Sequence, residues 1–112
     1  MLVRTKAFTD VGGMDEGYAL HCEDLDLMYR LREGGGHCLY VPQAQVKHLQ
    51  GLSSRSRPLW VHWQKHRGMQ RFYLKFHAPR YAMLLRWPVS LLVLAGIWAR
   101  FVVTLPVALL RR

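Results

Sequence analysis

Hydrophobic spacing divides the chain into segments of different period. Between Glu23 and Glu33, the positions Leu27, Met28 and Leu31 fall on one arc at about 100° per residue, which predicts a short helix. Acids fill its first turn and Arg30 and Arg32 its last, matching the helix dipole, and Gly34-Gly35-Gly36 stops it. His37 to Val41 has the β-branched and aromatic character of a strand, broken at Pro42. Ala44 to His48 alternates apolar and polar, as a half-buried strand does. Residues 2–8 read as a further strand or edge segment. From Leu59 to Tyr81 a helix is expected in which Trp60, Trp63, Phe72, Tyr73 and Phe76 interleave with Lys65, Arg67, Arg71 and Lys75, ending or kinking at Pro79.

The last third has a different pattern. Trp87 to Leu110 is 24 residues with Arg100 as its single charge, and thirteen of them are Leu, Ile, Val or Phe. As a helix this is long enough to cross about 30 Å of hydrocarbon. Those apolar residues favour insertion by about 4–8 kcal/mol, Arg100 opposes it by about 2.5–3.5 kcal/mol, and Pro88 and Pro106 weaken the helix. A span, a re-entrant hairpin and a surface-lying helix all remain open. Basic flanks together with Trp87 and Trp98 suit an anionic lipid interface.

Charge sharpens this division. The 112 residues carry a formal net charge of +9, but all seven acids lie between Asp10 and Glu33. The remainder from Gly34 onward holds twelve basic side chains and no acidic one. The first third is thus the candidate chemical site, and the rest expects an anionic partner. Cys22 and Cys38 are the only cysteines, and no cleavable leader is evident at the N-terminus. Free, buried thiols in a reducing, cytoplasmic setting are expected.

Within the acidic cluster, Gly12-Gly13 is turn chemistry, and Asp15-Glu16-Gly17 reads as a loop anchored by Met14 and Tyr18. The helical arc places Asp24 on the same side as Leu27 and Met28, with Glu23 and Asp26 opposite, so Asp24 is expected to face inward. A carboxylate facing a core is costly unless paired or set at a polar cleft, which marks it as a functional candidate beside the simpler role of helix cap. Asp26 and Arg30 are expected as an exposed i, i+4 pair. His62 and His66 also stand at i, i+4, as two metal ligands on one face do, but no acid or cysteine completes a set and an exposed face is favoured.

One ordered series carries a resemblance: Phe8-Thr9-Asp10-Val11-Gly12-Gly13-Met14-Asp15-Glu16, then Glu23-Asp24-Leu25-Asp26-Leu27 with Arg30-Leu31, then Gly36, Tyr40-Val41-Pro42, Val46 and His48-Leu49-Gln50-Gly51-Leu52-Ser53. It resembles the C-terminal half of the catalytic domain in glycosyltransferase family 2, especially bacterial rhamnosyltransferase-like members. The resemblance implies an α/β fragment, the C-terminal half of a GT-A nucleotide-sugar transferase domain, followed by basic and hydrophobic helices. Its parts would be residues 1–55 as catalytic half, 56–82 as basic aromatic helix and 83–112 as membrane-associated tail. It implies inverting transfer of a sugar from a nucleotide-sugar donor to a glycan or lipid-linked hydroxyl at the cytoplasmic face of the membrane. Asp24 matches the general base, Glu23 its support, and Gly12, Gly13, Met14, Asp15, Glu16 and Ser53 the substrate pocket, Met14 standing where an aromatic residue is usual. His48 matches a ligand of a divalent metal, Mg²⁺ or Mn²⁺, on the donor diphosphate. The family's nucleotide-binding half and its Asp-x-Asp metal motif have no counterpart here, so the chain is expected to be a fragment, inactive alone, with a separate N-terminal half as a possible partner.

Two other classes compete. A non-enzymatic basic protein docking on anionic membrane through residues 59–112 needs only the tail. Nucleic-acid binding by residues 55–81 fits basic and stacking side chains, but the long apolar tail argues against it. A zinc module from His21-Cys22 and His37-Cys38 has unfavourable adjacent-ligand spacing.

Overall fold

The computed structural model describes residues 1–47 and 57–110, and four α-helices lie among them. They are α1 (Thr5–Asp10), α2 (Glu23–Glu33), α3 (Pro58–Phe72) and α4 (Met83–Leu110). Past Phe72 the chain continues through a π-turn, Tyr73–His77, and a 3-10 turn, Ala78–Arg80, before reversing into α4.

Two helices end in the same way. The Gly13 amide donates to the Phe8 carbonyl and the Gly12 amide to that of Thr9. This is the Schellman arrangement, and it requires the left-handed φ of +80° that Gly12 adopts. At the end of α2, Gly36 donates to Leu31 and Gly35 to Arg32, with Gly35 at φ +82°. Both glycine runs therefore act as helix stops, as the sequence predicts for Gly34–Gly36, whereas Gly12-Gly13, read only as a turn, closes a helix the sequence reading did not expect.

The strand expected over residues 2–8 is replaced by α1. Its backbone is closed by Gly12 and Gly13, and the Thr9 hydroxyl returns to the carbonyls of Thr5 and Lys6. Residues 37–47, expected to form two strands, are exposed and irregular, and there is no strand among the described residues. A strand satisfies its amides only against a neighbour, whereas a helix does so within itself.

Helix α3 is the centre of the molecule. Along one side it packs antiparallel to α4. Trp63 meets Trp98 at 5.0 Å between rings, and His62 stacks on Phe101 at 4.7 Å. The Trp98 indole donates to Gln70 Oε1 at 3.0 Å, and the Tyr73 and Ser90 hydroxyls bond at 3.1 Å. The two histidines read as an exposed pair are instead packed. His62 Nε2 donates to the Phe101 carbonyl, while His66 is buried and donates from Nδ1 to the His62 carbonyl. Helix α4 continues through both prolines, and Thr104 returns its hydroxyl to the Arg100 carbonyl.

Candidate active site

Against the other side of α3 sits the acidic unit. Gly68 makes the contact possible: a Cβ there would lie 2.8 Å from the His21 carbonyl and 3.5 Å from Cys22 Sγ. His21 and Cys22 both take left-handed backbone angles, φ +64° and +69°, immediately before α2. Two such non-glycine residues cost about 1–3 kcal/mol each and persist only where the surroundings enforce them. They set the direction in which Glu23 and Asp24 leave the turn.

A buried charge network joins this unit to the end of α3. Asp26 is fully buried and receives the Arg30 guanidinium, the Lys75 ammonium at 2.6 Å and the Tyr18 hydroxyl at 3.1 Å. Lys75 also reaches Asp15 at 2.7 Å, and Arg71 grips the same carboxylate at 2.9 and 3.1 Å. Arg30 ties in the Val11 carbonyl, and the Gly17 amide caps Asp15 at 2.8 Å. Lys75 lies in the π-turn, the kind of helix irregularity that recurs at functional sites. Lys75, with Gly17 and Arg71, holds the Asp15 carboxyl well below the usual carboxylate range. Burial, with Asp26 beside it, pushes the Tyr18 phenol well above its ordinary value.

The structure reverses the assignment of faces within α2. Asp26 points inward, and its link to Arg30 is a buried pair rather than an exposed one. Asp24 points outward, with one oxygen accepting the Leu25 amide at 2.8 Å. The error is one of phase. The face of α2 that meets Tyr18 and Lys75 is the one that carries Asp26, and neither partner is visible in the local period. Glu23 is half-buried, and its Oε2 has no hydrogen-bond partner among the described residues.

The other expected site residues fall in distinct places. Gly12 and Gly13 form the α1 cap and Met14 and Glu16 are exposed beside it, while Asp15 is committed to Lys75 and Arg71. His48 and Ser53 lie outside the described residues. No group of three or more His, Cys, Asp or Glu suited to a metal occurs among the described residues. Asp15 and Asp26, each neutralised by cations, do not fit that role. Of the two thiols, both free, Cys22 is buried, with burial raising its pKa, and Cys38 is exposed, contrary to the expectation that both are buried.

The residues missed by sequence reasoning are Tyr18, Arg71 and Lys75 as partners of the acids, and Gly68 as the seat of the His21–Cys22 turn. The signal for the cations is the opposite charge of the two parts of the chain, which the sequence reading assigns to an outside anion, whereas Arg71 and Lys75 spend their charge internally. Arg67 has no ion pair among the described residues, and with Trp63, Gln70, Leu74 and Trp98 it lines an open groove of about 700 Å³ that Gly17, Arg71 and Lys75 complete.

The chain is 37% identical over 87 residues to the N-acetylglucosaminyl-diphospho-decaprenol L-rhamnosyltransferase of Mycobacterium tuberculosis, a stretch covering 78% of this chain and 28% of that protein. It is 43% identical over 56 residues to the rhamnosyltransferase WbbL of Escherichia coli, covering 50% of this chain and 21% of that protein. The chain thus matches less than a third of the length of these relatives. No family model matches it, and neither does any solved structure.

Proposed function

We propose that this chain is the acceptor-side part of an inverting glycosyltransferase of family 2, the C-terminal half of a GT-A domain with Asp24 as general base. It acts in cell-envelope glycan synthesis, with a nucleotide-sugar as donor and a hydroxyl on a glycan or lipid-linked molecule as acceptor. The likeness to two rhamnosyltransferases supports the transferase class. The observation that carries the residue assignment is the division of labour among neighbouring carboxylates. Asp15 and Asp26 are bound by cations, while Asp24 is open to solvent with one oxygen uncommitted. A base must come within about 2.6–3.2 Å of the proton it removes, and only an accessible carboxylate does so.

In this scheme the free Asp24 oxygen takes the proton of the acceptor hydroxyl as the acceptor's own oxygen attacks the anomeric carbon. One carbon–oxygen bond forms as the bond to the departing nucleotide diphosphate breaks on the opposite face, inverting the centre. Glu23 supports the turn that presents Asp24. Met14 and Glu16 are the exposed groups of the Gly12–Glu16 loop available to substrate, and Asp15 holds that loop to α3. A divalent ion, with His48 as a ligand, would neutralise charge on the leaving diphosphate. The described residues add no ligand set for it.

The test is Asp24→Asn in the chain joined to a nucleotide-binding half, assayed for sugar transfer to a lipid-diphosphate acceptor. Turnover should fall about 10²–10⁴-fold with an unchanged circular dichroism spectrum, and product NMR should show inverted anomeric configuration. Full turnover by the variant overturns the base assignment. The apolar α4 favours a second reading, a non-enzymatic protein on the cytoplasmic face of an anionic membrane. That reading predicts vesicle binding without any transfer activity in the joined chain.

A further inference from the structure

The long apolar helix has two faces, and its partner α3 decides how it meets lipid. At about 100° per residue, Ser90, Leu94, Ile97, Phe101, Thr104 and Ala108 form the side turned to α3, all of them buried or half-buried. The opposite side presents Leu85, Leu92, Ala99, Val103 and Leu110, all exposed, and it carries no charge. Arg100 falls between the two, on one flank, and Arg86 lies at the edge of the α3 side in the first turn. Arg100, which sits awkwardly in the middle of a span, is well placed on the flank of a helix lying flat, where its head reaches water beside the lipid.

The antiparallel pairing fixes relative depth. Tyr73 is level with Ser90, Gln70 with Trp98, and His62 with Phe101. Were α4 to cross a bilayer, this stretch of α3 would be carried into the hydrocarbon with Lys65, Arg67 and Arg71. So would the groups fixed to it, His21 and Cys22 at Gly68 and Asp15 at Arg71. Several charges at that depth are strongly disfavoured.

We infer that α4 lies in the plane of the membrane interface, its Leu85–Leu92–Val103–Leu110 face immersed in an anionic bilayer surface and α3 above it. The occupant is lipid rather than protein because the face is uniformly apolar while its flank and the helix above are cationic, complementary to acidic head groups. The groove holding Trp63, Trp98 and Arg67 then opens near the head groups. This inference rests on contact between α4 and lipid, and it stands apart from the transferase reading, since no part of it requires catalysis.

The experiment uses the full chain in a Cys22→Ala, Cys38→Ser background, with single cysteines replacing Leu85, Leu92, Ala99, Val103 or Leu110 in turn. Each carries a nitroxide and is bound to phosphatidylethanolamine vesicles containing phosphatidylglycerol. In-plane binding gives all five labels one shallow depth, about 5–10 Å into the head-group boundary. A span distributes them over about 37 Å of helix, with depth greatest near Ala99, and overturns the proposal. Labels that stay out of reach of lipid-borne relaxants show a protein-covered face and overturn it equally. Arg100→Leu, at an exposed position, should weaken binding to phosphatidylglycerol vesicles about fivefold at unchanged label depth. Deeper labels in that variant count for the span.

Discussion

The two sides of α3 hold their neighbours by different physics. On one side, Arg71 and Lys75 clamp Asp15 and Asp26 through a few polar contacts, beside a small aromatic contact of Tyr29 with Phe72 and Phe76 and the close approach of His21 to Gly68. On the other, aromatic rings repeat along the helix and spread the contact from Tyr73 to His62. Loss of one group from the polar clamp weakens every bond its partners shared with it and unbalances the charge around Asp26, the fully buried member. Loss of one ring from the stripe removes only its own area. The clamp should therefore be brittle and sensitive to pH, and the stripe graded and indifferent to salt.

Substitutions separate these behaviours. Asp26→Asn should have the largest effect, costing about 3 kcal/mol by weakening at once the bonds that Arg30, Lys75 and Tyr18 make to one fully buried carboxylate, seen as a large drop in the denaturation midpoint. Trp98→Ala should cost about 2–3 kcal/mol, less than a fully buried ring, because the indole is only half-buried. Its loss should be the same at low and high salt. Gly68→Ala should cost about 1–3 kcal/mol by overpacking against the His21 carbonyl, and it should speed modification of the Cys22 thiol, which in the parent chain reacts far more slowly than Cys38. Lys6→Ala, breaking the exposed Lys6–Asp10 pair, should leave the midpoint unchanged.

Acid gives a further way to separate the two sides. Asp15 ionises below its ordinary value in the folded chain, so the folded state binds fewer protons there than the unfolded one. Its contribution is complete above the unfolded carboxylate value of about 4 and is lost as pH falls below it. An acid titration followed by circular dichroism should show this limb, and Lys75→Met should flatten it. The Trp63–Trp98 contact should contribute nothing to that slope.

What the sequence by itself determined were the features with local causes. Helix α2, its glycine stop and the Gly12-Gly13 turn follow from dipole, period and positive φ, all set within a few residues. The apolar length of α4 is equally plain from the chain. Features that depend on distant partners were hidden. The helical period alone placed Asp24 inward and Asp26 outward. The fold reverses this: the left-handed His21 and Cys22 are pressed against Gly68, and Lys75, 49 residues beyond Asp26, makes the buried acid tolerable. Likewise, length and hydropathy left a span and a surface helix equally open for α4, and its pairing with the charged α3 is the tertiary feature on which the in-plane inference rests. Helix ends are fixed by near neighbours, whereas a strained turn such as His21-Cys22 and the state of a charge are fixed by whatever the fold brings beside them.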